Sequence, residues 1–148
     1  MEIILARHGE YNDSNGKLSA YGRTQIVSLA ESIQGIFPDI SAEKVEFCSS
    51  TAERAVESSE VLQSVLGLND PIQDEMLYSS GGYLKSQKVD WLKERIEALE
   101  RGNKEYLLVV THYEFVNYFF RLAYNTDKFS IARGRAVVRK NGGEMLTI

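Results

Sequence analysis

The chain is poor in cysteine, proline and histidine: one, two and two among 148 residues. A single cysteine excludes an intramolecular disulfide and a cysteine zinc cluster, and a reducing cytoplasm is the expected compartment. Scarce proline leaves no stretch that reads as a linker, and no repeat or low-complexity tract is visible. No apolar run approaches the roughly 20 residues of a membrane span, and no charged segment followed by an apolar one marks a secretory signal. An excess of positive charge is missing too. With 17 Lys and Arg against 21 Asp and Glu the net charge is -4, so neither nucleic acid nor a membrane is an expected partner. What remains, 43% hydrophobic and 26% charged, is the composition of a soluble globular protein, expected to form one domain over residues 1–148.

The apolar runs are short and end on the scarce residues. Residues 2–7 read as a buried strand that delivers Arg7-His8-Gly9-Glu10. Tyr106–Thr111 is another, and it ends at His112, the second histidine. Between them, Ser19 is a plausible N-cap for a helix to about residue 35, with Ile26, Ala30, Ile33 and Phe37 inward. Val45–Cys48 reads as a strand, followed by a helix to about Leu66 that Gly67 closes. Residues 71–84 read as a loop with room for a short strand. A helix from about Ser86 to Arg101 buries Val89, Leu92, Ile96 and Leu99, and Glu114–Tyr124 forms a very apolar one. Strands over 129–140 and 144–148 close the chain around Asn141-Gly142-Gly143. Arg133, Arg135, Arg139 and Lys140 are read as an exposed basic face on an edge strand. The alternation specifies an α/β three-layer sandwich: a mostly parallel sheet with helices on both faces.

In such sheets ligands bind at the carboxyl ends of the strands, where both histidines fall. Arg7 beside His8 suggests a phosphoryl ligand, because a guanidinium donates in pairs to phosphate oxygens. Arg54, after Ser49-Ser50-Thr51-Ala52-Glu53, leaves the end of a neighbouring strand and converges on the same place. A neutral imidazole with one nitrogen free can attack phosphorus and become phosphohistidine. Gly9 permits a sharp turn and close approach to the ligand, and nearby helix N-termini add backbone donors.

These residues, in this order, resemble the histidine phosphatase (phosphoglycerate mutase-like) superfamily. Arg7-His8-Gly9-Glu10 is similar to its nucleophile motif, and Leu18-Ser19-Ala20-Tyr21-Gly22-Arg23-Thr24-Gln25 to the helix start that follows. Ser49-Ser50-Thr51-Ala52-Glu53-Arg54-Ala55 resembles the segment with its second arginine, and Val109-Val110-Thr111-His112 the strand with its second histidine. The resemblance implies a phosphoglycerate mutase-like fold and a metal-independent phosphatase. It implies His8 as the covalent phosphoryl carrier, with Arg7, Arg54 and His112 binding the phosphoryl group, and no metal or organic cofactor.

The chain departs from that pattern in three ways. Aligning Leu77 with a leucine of the family's middle region puts Ser79 where many members have an acidic glutamate. Glu114 is favoured as the proton donor instead, with Glu75 and Asp74 as alternatives. Tyr113 replaces a common glycine and would narrow the pocket. The chain also lacks the insertions with which sugar-phosphate mutases enclose a substrate. A short, open site is similar to the small phosphohistidine phosphatases, so the expected substrate is a phosphohistidine protein or a small phosphoester. The specificity loop is expected at residues 74–86, with Tyr78 and Tyr83 as contacts.

Other readings stand beside this one. Cys48 to Arg54 has the C-x-x-x-x-x-R spacing of cysteine-dependent phosphatases, but that loop has no glycine, and Glu53 puts negative charge beside the anion. His8, Glu10, Asp13 and His112 offer ligand types for a metal, which the two arginines oppose. With Ser79 at the acid position, the chain also suits a non-catalytic module that binds phosphorylated ligands.

Overall fold

The computed structural model describes residues 1–148. The chain runs β1 (Glu2–Arg7), α1 (Ala20–Ile36), β2 (Val45–Ser49), α2 (Glu53–Leu66), β3 (Ile72–Gln73), a 3-10 turn at Glu75–Leu77, α3 (Ser86–Glu100), β4 (Tyr106–Thr111), α4 (Tyr113–Tyr124), β5 (Ala136–Arg139) and β6 (Met145–Thr147). The sheet order is β3-β2-β4-β1-β5-β6. β3, β2, β4 and β1 are mutually parallel; β5 pairs antiparallel with β1, and β6 pairs antiparallel with β5. β1 and β4 lie in the centre, which is why Ile3–Ala6 and Leu107–Val110 are unbroken apolar runs.

Alternate residues of each strand feed separate cores. Ile4, Ala6, Leu108 and Val110 pack under α1 and α2 with Ile26, Ile33 and Leu62. Ile3, Leu5, Leu107 and Val109 pack under α3 and α4 with Leu92, Ile96, Phe115 and Phe119. The two-sided covering is that of the expected α/β sandwich. Ser19 caps α1, accepting from Gly22 N at 3.0 Å, and Gly67 closes α2 at φ 67°.

The closing strands are shorter than the sequence suggests. Residues 129–135 form a loop fastened to the buried side chain of Asn117: Ile131 N donates to Asn117 Oδ1 at 2.8 Å, and Phe129 N to the Asn117 carbonyl. Phe129 and Ile131 therefore anchor a loop, and β5 begins only at Ala136. β5 is also an interior strand, with β6 outside it. The basic residues consequently do not form an edge-protecting face. Arg139 stacks on Tyr124, 4.5 Å from its ring centre, and Arg133 turns back toward the histidines.

No helix is long and apolar enough to cross a membrane.

Candidate active site

The parallel strands deliver their side chains to one rim. Arg7 ends β1, His8 follows it, Ser50 follows β2, and His112 follows β4 as the N-cap of α4. Main-chain bonds stitch these ends together: His8 N to Thr111 O at 3.2 Å, and Ser50 N to Val110 O at 2.9 Å. Arg54 sits in the first turn of α2. The amino ends at the rim are those of α2 and α4. That of α1 lies a loop away from Arg7, with Gly22 N taken by Ser19.

His8 is buried, and its Nδ1 lies 2.8 Å from the Gly9 carbonyl. A carbonyl only accepts, so Nδ1 carries the hydrogen and Nε2 keeps its lone pair. Nε2 accepts from Arg54 Nε at 3.3 Å. The His112 ring lies 5.2 Å from that of His8, edge to face. Ser50 Oγ holds His112 Nε2 at 2.7 Å, and His112 Nδ1 has no protein partner. Arg7 is anchored through Nη1 to the Ile131 carbonyl at 3.0 Å, while its buried Nε has no hydrogen-bond partner. An unpaired buried donor on a guanidinium is the pattern of a group that completes its bonding with an anion.

Burial lowers the His8 pKa to about 4, aided by the positive charges of Arg54, Arg7 and Arg133 and opposed by the Gly9 bond. Burial likewise lowers His112 to about 3, with His8, Arg54, Lys88 and Arg7 adding to it. Both imidazoles are therefore neutral near pH 7. The Arg7 pKa is lowered, by burial and then by Arg133.

The backbone of the His8 loop is held by glycine contacts. A Cβ on Gly9 would come 2.6 Å from the Gly22 carbonyl, and one on Gly22 would come 2.1 Å from the Glu10 carbonyl. Only hydrogen fits at either position, so α1 starts directly against the loop. Gly9 N donates to Ser58 Oγ at 3.1 Å, and Glu10 N to Gln25 Oε1 at 2.8 Å.

The candidate acids separate. Glu114 is buried, and its oxygens accept from Ser79 Oγ at 2.8 Å and Gly82 N at 3.1 Å. The serine at the expected acid position thus binds the other candidate acid directly, and joins the 79–82 loop to α4. Glu114 is close enough to Arg7 and Lys88 for its charge to support theirs. Asp74 instead caps the 3-10 turn through Met76 N, and Glu75 is exposed. Cys48 does not face the rim. It is buried in the core beneath α3 and α4, and burial pushes its thiol up to about 11. The cysteine-to-arginine spacing is therefore a coincidence of a strand followed by a helix. No group of three or more His, Cys, Asp or Glu side chains is arranged to hold a metal ion, and Glu10 is bonded to Ser19.

Aromatic residues surround the histidines. Tyr11 meets His8 edge to face at 5.3 Å and lies under Arg54 at 4.5 Å and Arg133 at 4.9 Å. Tyr78 meets His112 at 4.9 Å, and Arg7 lies over Tyr113 at 5.3 Å. Tyr113 thus stacks on an arginine beside the pocket, and Tyr83 is exposed further out. Arg133 and Tyr11 are the residues that sequence reasoning missed. Arg133 arrives because Arg7 N donates to Arg135 O at 2.9 Å and Gly134 N to His8 O at 3.0 Å, pairings that no local pattern announces.

The class defined by this architecture is an α/β fold that gathers two histidines and two arginines at the carboxyl ends of its parallel strands. No family model matches the sequence, and no curated protein matches it significantly. Solved structures do match. The protein histidine phosphatase SixA, complexed with tungstate, superposes with TM-score 0.77 at 18% identity, covering 100% of this chain and 94% of that one. Phosphoglycerate mutase from Plasmodium falciparum gives 0.67 at 20% identity, covering 99% and 87%. A mycobacterial glucosyl-3-phosphoglycerate phosphatase gives 0.68 at 15% identity, covering 93% and 88%. The chain shares the α/β fold of these structures and covers nearly the whole length of the SixA chain.

Proposed function

We propose that this protein is a metal-independent phosphatase that works through a covalent phosphohistidine on His8. The observation that carries the reading is the His8 ring: Nδ1 fixed on Gly9, Nε2 unprotonated and facing Arg54. In the first step His8 Nε2 forms a bond to phosphorus while the bond to the leaving group breaks. Arg7, Arg54 and His112 bind the phosphoryl oxygens and stabilise the charge that develops. In the second step water attacks the phosphoryl group, the P–Nε2 bond breaks, and phosphate leaves with His8 restored.

The leaving group needs a proton, and Glu114 is the proposed donor. Its carboxylate is already engaged by Ser79 Oγ and Gly82 N, which hold it toward the 79–82 loop. That favours a phosphohistidine protein as substrate, since an imidazole leaves with less help than an alkoxide. The likeness to a protein histidine phosphatase supports the same choice. A small phosphoester with a good leaving group is the second substrate class that this chemistry accommodates.

The test is a panel of phosphohistidine peptide, aryl phosphate and sugar phosphate, run on wild type, His8→Ala and Cys48→Ser. Turnover lost in His8→Ala and kept in Cys48→Ser supports the proposal. Turnover that survives in His8→Ala overturns it, and phosphate binding without any turnover makes the chain a binding module.

A further inference from the structure

A trough of about 870 Å³ opens beside the catalytic rim, between α1 and the strip Ala132–Arg135. Its α1 wall sets the hydroxyls of Thr24, Ser28 and Ser32 beside the apolar surface of Leu29 and Ile36, with Tyr21 and Gln25 toward the start of the helix. From Tyr21 to Ile36 the helix rises about 22 Å, the span of six or seven extended residues. That is too long for a sugar phosphate or a lone amino acid, and it suits an extended chain.

The trough has a sign as well as a length. Arg133 and Arg135 line it, no Asp or Glu side chain does, and neither arginine is in a salt bridge. This is unusual in a chain of net charge -4. The trough also shares one residue with the surroundings of the phosphoryl site. Arg133 belongs to both, lining the trough while lying 4.9 Å from the Tyr11 ring centre and lowering the His8 pKa. Main-chain bonds from Arg7 and to His8 clamp the strip on which Arg133 and Arg135 stand.

We propose that this trough docks an acidic, extended segment flanking the phosphorylated residue of a protein substrate. Arg133 receives the carboxylate next to the phosphoryl group, and Arg135 one further along. Thr24, Ser28 and Ser32 bond to the main chain of the segment, in the manner of peptides lying along polar grooves. The inference rests on the phosphatase reading for its substrate, but the docking itself does not require turnover.

The test uses ten-residue labelled peptides with a central non-hydrolysable phosphonate analogue of phosphohistidine, flanked by Asp and Glu or by Ser and Gly. Binding is read by fluorescence anisotropy on the whole protein. The acidic peptide is expected to bind wild type at least about fivefold more tightly than the neutral one. Arg135→Glu should abolish that preference, and Ser28→Trp, which fills the exposed trough, should weaken the acidic peptide about tenfold. Neither change touches the proposed catalytic groups, so aryl phosphate turnover should stay within about twofold of wild type. Equal binding of the two peptides, or no effect of Ser28→Trp on a folded protein, overturns the docking site. No turnover of any phosphorylated substrate by wild type, alongside an intact peptide preference, would instead overturn the phosphatase reading alone.

Discussion

At the scale of the residue, protonation decides whether His8 can act. Its depressed pKa keeps Nε2 available from neutral pH down to about 4. The value of kcat/KM for an aryl phosphate, which reports the free enzyme, is therefore expected to show no enzyme inflection near 6.5, the ordinary histidine value, and to fall below about pH 4. The same shift links pH to stability. Between about 6.5 and about 4 the unfolded chain takes up a proton on His8 that the native state refuses, and His112 does the same down to about 3. The unfolding free energy from urea titration should thus drop as pH falls from 7 to 5, by more in wild type than in His8→Gln. Glu114 gives a different signature. If it protonates the leaving group, Glu114→Gln should slow a sugar phosphate by about 100-fold and a nitrophenyl phosphate, with its better leaving group, by less than about tenfold. Equal loss on both would assign Glu114 to holding the 79–82 loop only.

At the scale of the element, legibility followed burial. β1 and β4 have the lengths expected from sequence because a central strand covered on both faces must be apolar throughout, and its ends are marked by Arg7 and His112. α1, α2 and α3 carried caps or stripes that set their limits. The segment 129–135 misled because Phe129 and Ile131 have the spacing of a strand, whereas their partner is a helix side chain, Asn117. A buried asparagine in an apolar helix was the available hint. The sharpest element-level dependence is the Gly9–Gly22 contact. Gly22→Ala places a methyl 2.1 Å from the Glu10 carbonyl, so it should lower stability by about 1–3 kcal/mol and displace the His8 loop. Thermal unfolding measures the first effect. Turnover falling more than the unfolded fraction explains measures the second, whereas Gly35→Ala, at a helical position with open space, should lower neither.

At the scale of the whole molecule, the site is a product of topology. Three parallel strand ends bring His8, Arg54 and His112 to one place, and that much was readable because both histidines directly follow apolar runs and Arg54 follows one within a short turn. Arg133 was not, since it reaches the site only through the antiparallel register of β5 on β1, which places Ala136 opposite Ala6. Nor was the Ser79–Glu114 bond, which joins residues 35 positions apart through a loop without regular structure. The same topology sets the proposed trough between α1 and the Ala132–Arg135 strip. The central claim, a phosphoryl group carried on His8, is tested most directly by rapid quench with labelled substrate followed by mapping of the labelled peptide. The expected result is a label on His8, lost in acid and stable in alkali, that forms and decays at rates compatible with turnover and is missing from His8→Ala. A label that survives acid, maps to Cys48, or persists in His8→Ala would contradict it.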